Sequence, residues 1–262
     1  MVRCKKRLLG KSSKPMMGLR GERMNRLQTI RHEEKKYHDS CYDNYKLFEP
    51  GTWLHRPVRT VLDLLSQFED YERLDVLDLG SGIGRNSIPI AEFMKDGRGG
   101  KVVCVDFLES AFGKLAEYAV QYEVSAFIEP VLSDIDHYRI EPSAFDLIVA
   151  VSTLEHVSSE QALRRKLGEM ADGTRHNGIN CIVIGSNIQE TVADTGEALD
   201  PMFEVNLPTE AMMELLDRHY DGWEVQARLV KPLVYEIDRD GRPVRLETDG
   251  ITYVAKRVGV KR

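Results

Sequence analysis

Residues 76–87 read VLDLGSGIGRNS, an apolar run and an aspartate, then glycine at every second position, then Arg-Asn-Ser. The run is short and β-rich, so it reads as a buried strand. Gly80, Gly82 and Gly84 then allow a tight turn and a close approach of ligand to backbone. In an open parallel sheet the first strand-to-helix loop is where ligands bind, beyond the carboxyl ends of the strands. Two familiar glycine loops fail here. Counting G-x-G-x-x-G from Gly80 or Gly82 puts its third glycine on Arg85 or Ser87, and no Lys follows as a P-loop demands. What stands is D-x-G-x-G-x-G, with Asp78 two residues before Gly80.

Working outward, strands and helices alternate. Apolar residues at helical spacing predict a helix over 58–70, a strand over 74–79 and a helix over 86–94. Strand 101–106 ends in Asp106, 22 residues after Gly84. A carboxylate there can accept two hydrogen bonds from ribose hydroxyls. Further strands are expected at 126–132, 145–151 and 179–185, with helices at 108–122, 159–171 and 208–219. Residues 186–207 read as an irregular acidic stretch. The alternating runs 223–237 and 243–257 flank Asp240-Gly241, a strong hairpin turn. The expected fold is α/β, a doubly wound, mostly parallel seven-stranded sheet with a C-terminal antiparallel hairpin.

The formal charge of −6 hides a basic leader of +7 over residues 1–24, which leaves −13 on the rest. An acidic body does not suggest a nucleic-acid partner. The leader reads as a disordered extension or a start-site artefact, because Met24 opens a natural-looking start. No apolar run of about 18 residues occurs, so no membrane span is expected, and the N-terminus lacks the apolar core of a signal peptide. The expected location is the cytoplasm. Cys4, Cys41, Cys104 and Cys181 form no CxxC pair and read as small hydrophobes. No His/Asp/Glu spacing suggests a metal site.

Four stretches, VLDLGSGIG, VVCVD, LSDI (132–135) and FDLIVAVSTLEHV (145–157), resemble the class I S-adenosylmethionine-dependent methyltransferases, over roughly residues 55–257. The resemblance implies a Rossmann-like methyltransferase fold; the expected division is the basic leader 1–24, an N-terminal helical cap over the site at 25–70 and an S-adenosylmethionine-dependent methyltransferase domain at 71–262. The resemblance also implies S-adenosylmethionine as cofactor, with S-adenosylhomocysteine as product. Asp78, Gly80, Ser81 and Gly82 would line its methionine part, with Gly84 and Asn86 on the same loop. Asp106 would hold the ribose, with Phe107 beside the adenine. Asp134 would meet the adenine amino group, with Ser133 next to it and Ile135 on the ring. Val151 and Ser152 would lie near the sulfonium, and Trp53, with Tyr45 and His55, would cover the cofactor. Arg56 or Arg85 would pair with the methionine carboxylate.

The Gly-Arg-Asn-Ser run, RHNGINCIVI (175–184), RHYDGWEV (218–225) and the final hairpin are similar to the tellurite-resistance methyltransferases. That likeness implies a small-molecule acceptor, such as a tellurium or selenium oxyanion or a thiol metabolite. The chain departs from this family where Tyr235 and Glu236 replace a His-Arg pair, and in the acids Asp200, Glu204 and Glu210. His156 is the candidate base, with Glu155 orienting it; Tyr235, Glu204 and Asn206 are further acceptor-side candidates. The alternative reading is a non-catalytic cofactor-binding or partner module. The oligomeric state stays open.

Overall fold

The computed structural model describes residues 25–95, 97–239 and 241–259. The basic leader 1–24, Cys4 and Asp240 of the expected turn lie outside the described residues.

Helix α1 (Arg26–Asn44) begins with a capping box. Asn25 Oδ1 accepts from the Gln28 N–H, and Gln28 Oε1 accepts from the Asn25 N–H, both at 2.9 Å. The helix expected over 58–70 is α2 (Arg59–Leu64) followed by a 3-10 turn, Leu65–Phe68. The core alternation then runs β1 (Arg73–Leu79), α3 (Ser87–Met94), β2 (Gly99–Asp106), α4 (Glu109–Gln121), β3 (Ile128–Leu132), β4 (Phe145–Val151) and α5 (Glu160–Gly173). It continues with β5 (Thr174–Val192), β6 (Ala198–Leu199), α6 (Thr209–His219), β7 (Glu224–Arg239) and β8 (Arg242–Lys256).

The strands form one sheet in the order β3-β2-β1-β4-β5-β8-β7, with the two-residue β6 paired to β5 as an eighth. β1 to β5 are parallel along this path, and β8 and β7 are antiparallel. β1 and β4 are buried on both faces, as parallel strands between helix layers must be. Val76, Leu147 and Val149 face a core shared with α2, α3 and α4. Leu77, Ile148 and Ala150 face a second core with α5 and α6. The strand order reverses between β1 and β4, and a crevice opens there at their carboxyl ends.

The fifth strand departs most from expectation. It does not end at Gly185 but continues to Val192, with a register shift between Ser186 and Gln189 in its pairing with β8. Ile184, Ser186, Ile188, Glu190 and Val192 are buried in alternation, the period-2 signature of a strand. The expected acidic loop is therefore half sheet. β5, β8 and β7 run on together and form a wall beside the crevice. Cys41, Cys104 and Cys181 are buried, the last two within apolar strands as their sequence context suggested. Among the described residues no helix is long and apolar enough to cross a membrane.

Candidate functional site

A cavity of about 410 Å3 fills the crevice, a size typical of small-ligand sites. Its floor is the glycine loop. Gly80 and Gly82 have φ of +67° and +53°. A Cβ on Gly80 would sit 2.2 Å from Thr153 Oγ1, and one on Gly82 2.9 Å from the Tyr42 hydroxyl. The loop thus tolerates only glycine at both places. Asp106 holds it in shape, accepting from the Gly82 N–H at 2.8 Å through one oxygen and from the Leu108 N–H at 2.9 Å through the other. A carboxylate has about four acceptor sites, so about two remain for a ligand. Burial raises the Asp106 pKa, and these backbone donors oppose the rise.

Most of the residues singled out in the sequence meet here. Trp53, Ser81, Arg85, Asn86, Phe107, Asp134, Ile135, Val151 and Ser152 all line the cavity, as do Glu155, His156 and Tyr235. Ser152, at the end of β4, has φ +50°, an uncommon conformation for a residue with a side chain. Asp134 is engaged on both oxygens. Arg31 donates to Oδ2 at 2.5 Å, and the Asp136 N–H to Oδ1 at 2.9 Å. Arg85 donates to the Trp53 carbonyl at 2.8 Å and stacks over that indole.

Asp78, Gly84, Ser133 and Arg56 do not line it, nor do Tyr45, His55, Glu204 and Asn206. Asp78 lies behind the loop, fully buried, and accepts from Ser87 Oγ at 2.5 Å at the start of α3. Burial pushes its pKa up to about 7 despite that bond. Gly84 is a packing glycine, since its Cβ would meet Leu115 and Ile88. Ser133 Oγ donates to the Asp134 carbonyl. Arg56 is exposed. Asn206 ties its loop to β5 through the Ile188 N–H and carbonyl, both at 2.8 Å.

The pairing of Glu155 with His156 is corrected. Glu155 Oε1 accepts from the Gly185 N–H at 3.2 Å. The residue against His156 Nδ1 is Glu204, at 3.1 Å, with Glu34 at 3.3 Å. Burial works against a charge on His156, but Glu34, Glu204 and Glu155 outweigh it and push its pKa up to about 9. At neutral pH it keeps its proton and is a poor base.

The sequence reading named no residue of α1, yet Arg31, Glu34, Tyr37, His38 and Tyr42 of that helix all line the cavity. The signal was present as Ile30, Glu34, Tyr37, His38, Cys41 and Tyr42, which recur at helical spacing along one face. Four buried polar atoms on cavity residues have no hydrogen-bond partner: Trp53 Nε1, Ser81 Oγ, His38 Nδ1 and Glu155 Oε2. Buried polar groups in native proteins are nearly always paired, so these four mark places where a polar ligand fits.

Residues 76–178 match the family model described as "Methyltransferase domain". The matched segment spans β1 to the start of β5, and the sheet order is that of the Rossmann-like methyltransferase fold. None of the curated proteins compared with the chain matches it. Solved structures share the fold at low identity. The YcgJ protein from Bacillus subtilis is 12% identical, with a TM-score of 0.53 over 77% of this chain and 100% of its own. A SAM-dependent methyltransferase from Methanosarcina mazei is 16% identical, with a TM-score of 0.52 over 74% and 97%. The [4+2]-cyclase SpnF is 12% identical, with a TM-score of 0.58 over 89% and 96%. The same fold thus serves another chemistry, and function has to be argued from the site.

Proposed function

We propose that this protein transfers the methyl group of S-adenosylmethionine to a small-molecule acceptor. The observation that carries the reading is the set of orphaned polar atoms on one cavity that begins at the glycine loop and continues along the β5-β8-β7 wall. Asp106 would receive the ribose hydroxyls. Ile135 and Phe107 would flank the adenine, whose amino group would use a remaining lone pair of Asp134. Ser81, the Trp53 N–H and Arg85 would receive the methionine end, with the Arg85 guanidinium on the carboxylate.

The acceptor would occupy the far half, against Ile188, Phe203, Leu233, Tyr235 and Leu246, with the free Oε2 of Glu155 available to a hydrogen-bond donor. Glu34 and Glu155 line the cavity beside His156, with the Glu204 carboxylate behind them. Like charges repel, so this group of carboxylates favours a neutral or cationic acceptor over a tellurium or selenium oxyanion. Methyl transfer from a sulfonium releases a neutral thioether and needs no acid. The protein's work is to align nucleophile, methyl and sulfur and to exclude water.

Calorimetry with S-adenosylmethionine, S-adenosylhomocysteine and NAD tests the cofactor half; binding of NAD in place of the first two would overturn it. Arg85→Met is expected to weaken S-adenosylmethionine binding about tenfold, one charge-assisted hydrogen bond being worth about 1.5–3 kcal/mol. The loss should vanish with decarboxylated S-adenosylmethionine. If both ligands lose equally, Arg85 acts on the loop and not on the carboxylate. An acceptor screen should then give turnover with amines, thiols or hydroxyl compounds and not with selenite or tellurite. Cofactor binding without turnover on any acceptor would favour the non-catalytic alternative.

A further inference from the structure

Glu34 comes from α1, His156 from the 3-10 turn after β4, and Glu204 from the loop before α6. Three distant segments bring one nitrogen and two carboxylates to a single point. His156 Nδ1 is 3.1 Å from Glu204 Oε2 and 3.3 Å from Glu34 Oε2. The three ligand atoms all lie within 4.8 Å of one another. A single N–H points one way and serves only one of two carboxylates well. Two oxygens at near-equal distance from the same nitrogen instead describe a shared centre.

The two nitrogen–oxygen distances fit a metal ion. Imidazole nitrogen and carboxylate oxygen sit about 2.0–2.2 Å from a first-row divalent ion. At that radius, ligand atoms as far apart as the two nitrogen–oxygen contacts here subtend about 95–105°, between octahedral and tetrahedral corners.

A second observation points the same way. Glu155 is fully buried, its Oε2 has no hydrogen-bond partner, and it lines the same cavity. It is in electrostatic contact with Glu34, His156 and Glu204 alike. The Glu204 side chain is also buried, and its Oε1 has no hydrogen bond. Arg31 Nε stands 3.6 Å from that oxygen, but the same guanidinium is shared with Asp134 and Asp136. The group therefore gathers three carboxyl groups around one imidazole and a guanidinium shared with Asp134 and Asp136, an arrangement that a bound cation would stabilise.

We propose that Glu34, His156 and Glu204 form a binding site for a divalent first-row transition ion, of the Mn2+, Fe2+, Co2+ or Zn2+ type, on the acceptor side of the cavity. The mixed imidazole and carboxylate donors favour these ions over Ca2+, which takes oxygen ligands alone. Glu34 and His156 line the cavity while Glu204 stands behind them, so the ion's remaining positions open toward the acceptor. An ion there would polarise an acceptor oxygen and hold it near the sulfonium.

The test is calorimetry of the chelator-stripped full chain with MnCl2 and ZnCl2, with S-adenosylmethionine titrated into the same samples. One saturable site is expected, with Glu34→Gln and Glu204→Gln each weakening it at least tenfold. Cofactor affinity should hold in both variants, which reports their folding. A cobalt-loaded sample should lose its visible bands in His156→Asn. Absence of a saturable site in the wild type overturns the proposal, as does binding that survives in both glutamine variants. If one variant does not fold, the other decides. Failure of S-adenosylmethionine to bind counts against the methyl-transfer reading and leaves the ion site to be judged on its own titration.

Discussion

Asp106→Ala is expected to weaken S-adenosylmethionine binding about a hundredfold. The carboxylate has two jobs in one cavity. It accepts from the Gly82 and Leu108 N–H groups, which fixes the glycine loop and the turn into α4, and it offers its remaining lone pairs to the ribose. Charge-assisted hydrogen bonds are worth about 1.5–3 kcal/mol each, and about 1.4 kcal/mol is a factor of ten. Loss of two ribose bonds would exceed a hundredfold if the loop stayed in place. Alanine also frees the Gly82 N–H, and relaxation of the loop around it makes a hundredfold the sounder expectation. Asp106→Asn should do little better, because an amide turned toward two N–H groups brings one donor against another. Calorimetry measures this directly. An affinity within twofold of the wild type for Asp106→Ala would mean that the ligand lies elsewhere in the cavity.

The parts of the fold that were legible from sequence are those where a short apolar run meets a change of period. β1, β2 and β4 are of this kind, and their ends fall within two residues of expectation. Asp106 was legible for the same reason, as a carboxylate closing an apolar strand. Two regions were not. β5 was cut short at Gly185-Ser186-Asn187, where the sequence looks like a turn. Asn187 does adopt φ +49° there, but the chain resumes its pairing with β8 two residues later. Only the partner strand reveals that the segment is sheet. A helical cap was expected over 25–70, but which residues of α1 reach the site was hidden for a different reason. Its inward face carries Arg31, Glu34, Tyr37 and His38, so it looks solvated, and its polarity makes sense only once a ligand cavity is known to sit beneath it. The ion pairs of Arg31 and the His156–Glu34 contact likewise span more than a hundred residues of chain and leave no local spacing to read. A site assembled from three separate segments leaves no short-range metal spacing in the sequence.

The second large effect is a loss of stability in acid that runs through His38. This half-buried side chain of α1 packs against the rings of Tyr37, Tyr42 and Trp53, and its Nδ1, itself buried, has no hydrogen-bond partner. Burial, aided by the charge of His156 and opposed by Asp39, pushes its pKa down from 6.5 to about 4. Between those two values the unfolded chain takes up a proton that the folded chain refuses. Stability from this group is therefore complete above pH 6.5 and drains away as the pH falls toward 4. Over the whole window the loss is on the order of 3 kcal/mol, and about 2 kcal/mol of it is reached by pH 5. In a chain of this size 1 kcal/mol moves the melting temperature by roughly 2–4 °C. Asp78 and Glu34, whose pKa values are raised to about 7, act in the opposite sense, since the folded chain holds their protons more tightly. Comparison with His38→Phe removes them, because they are present in both chains. Cofactor-free wild type should lose roughly 4–8 °C more than the variant between pH 7.5 and pH 5. Equal losses in the two proteins would mean that water or a proton reaches His38 in the folded state, and that α1 does not seal the cavity from above.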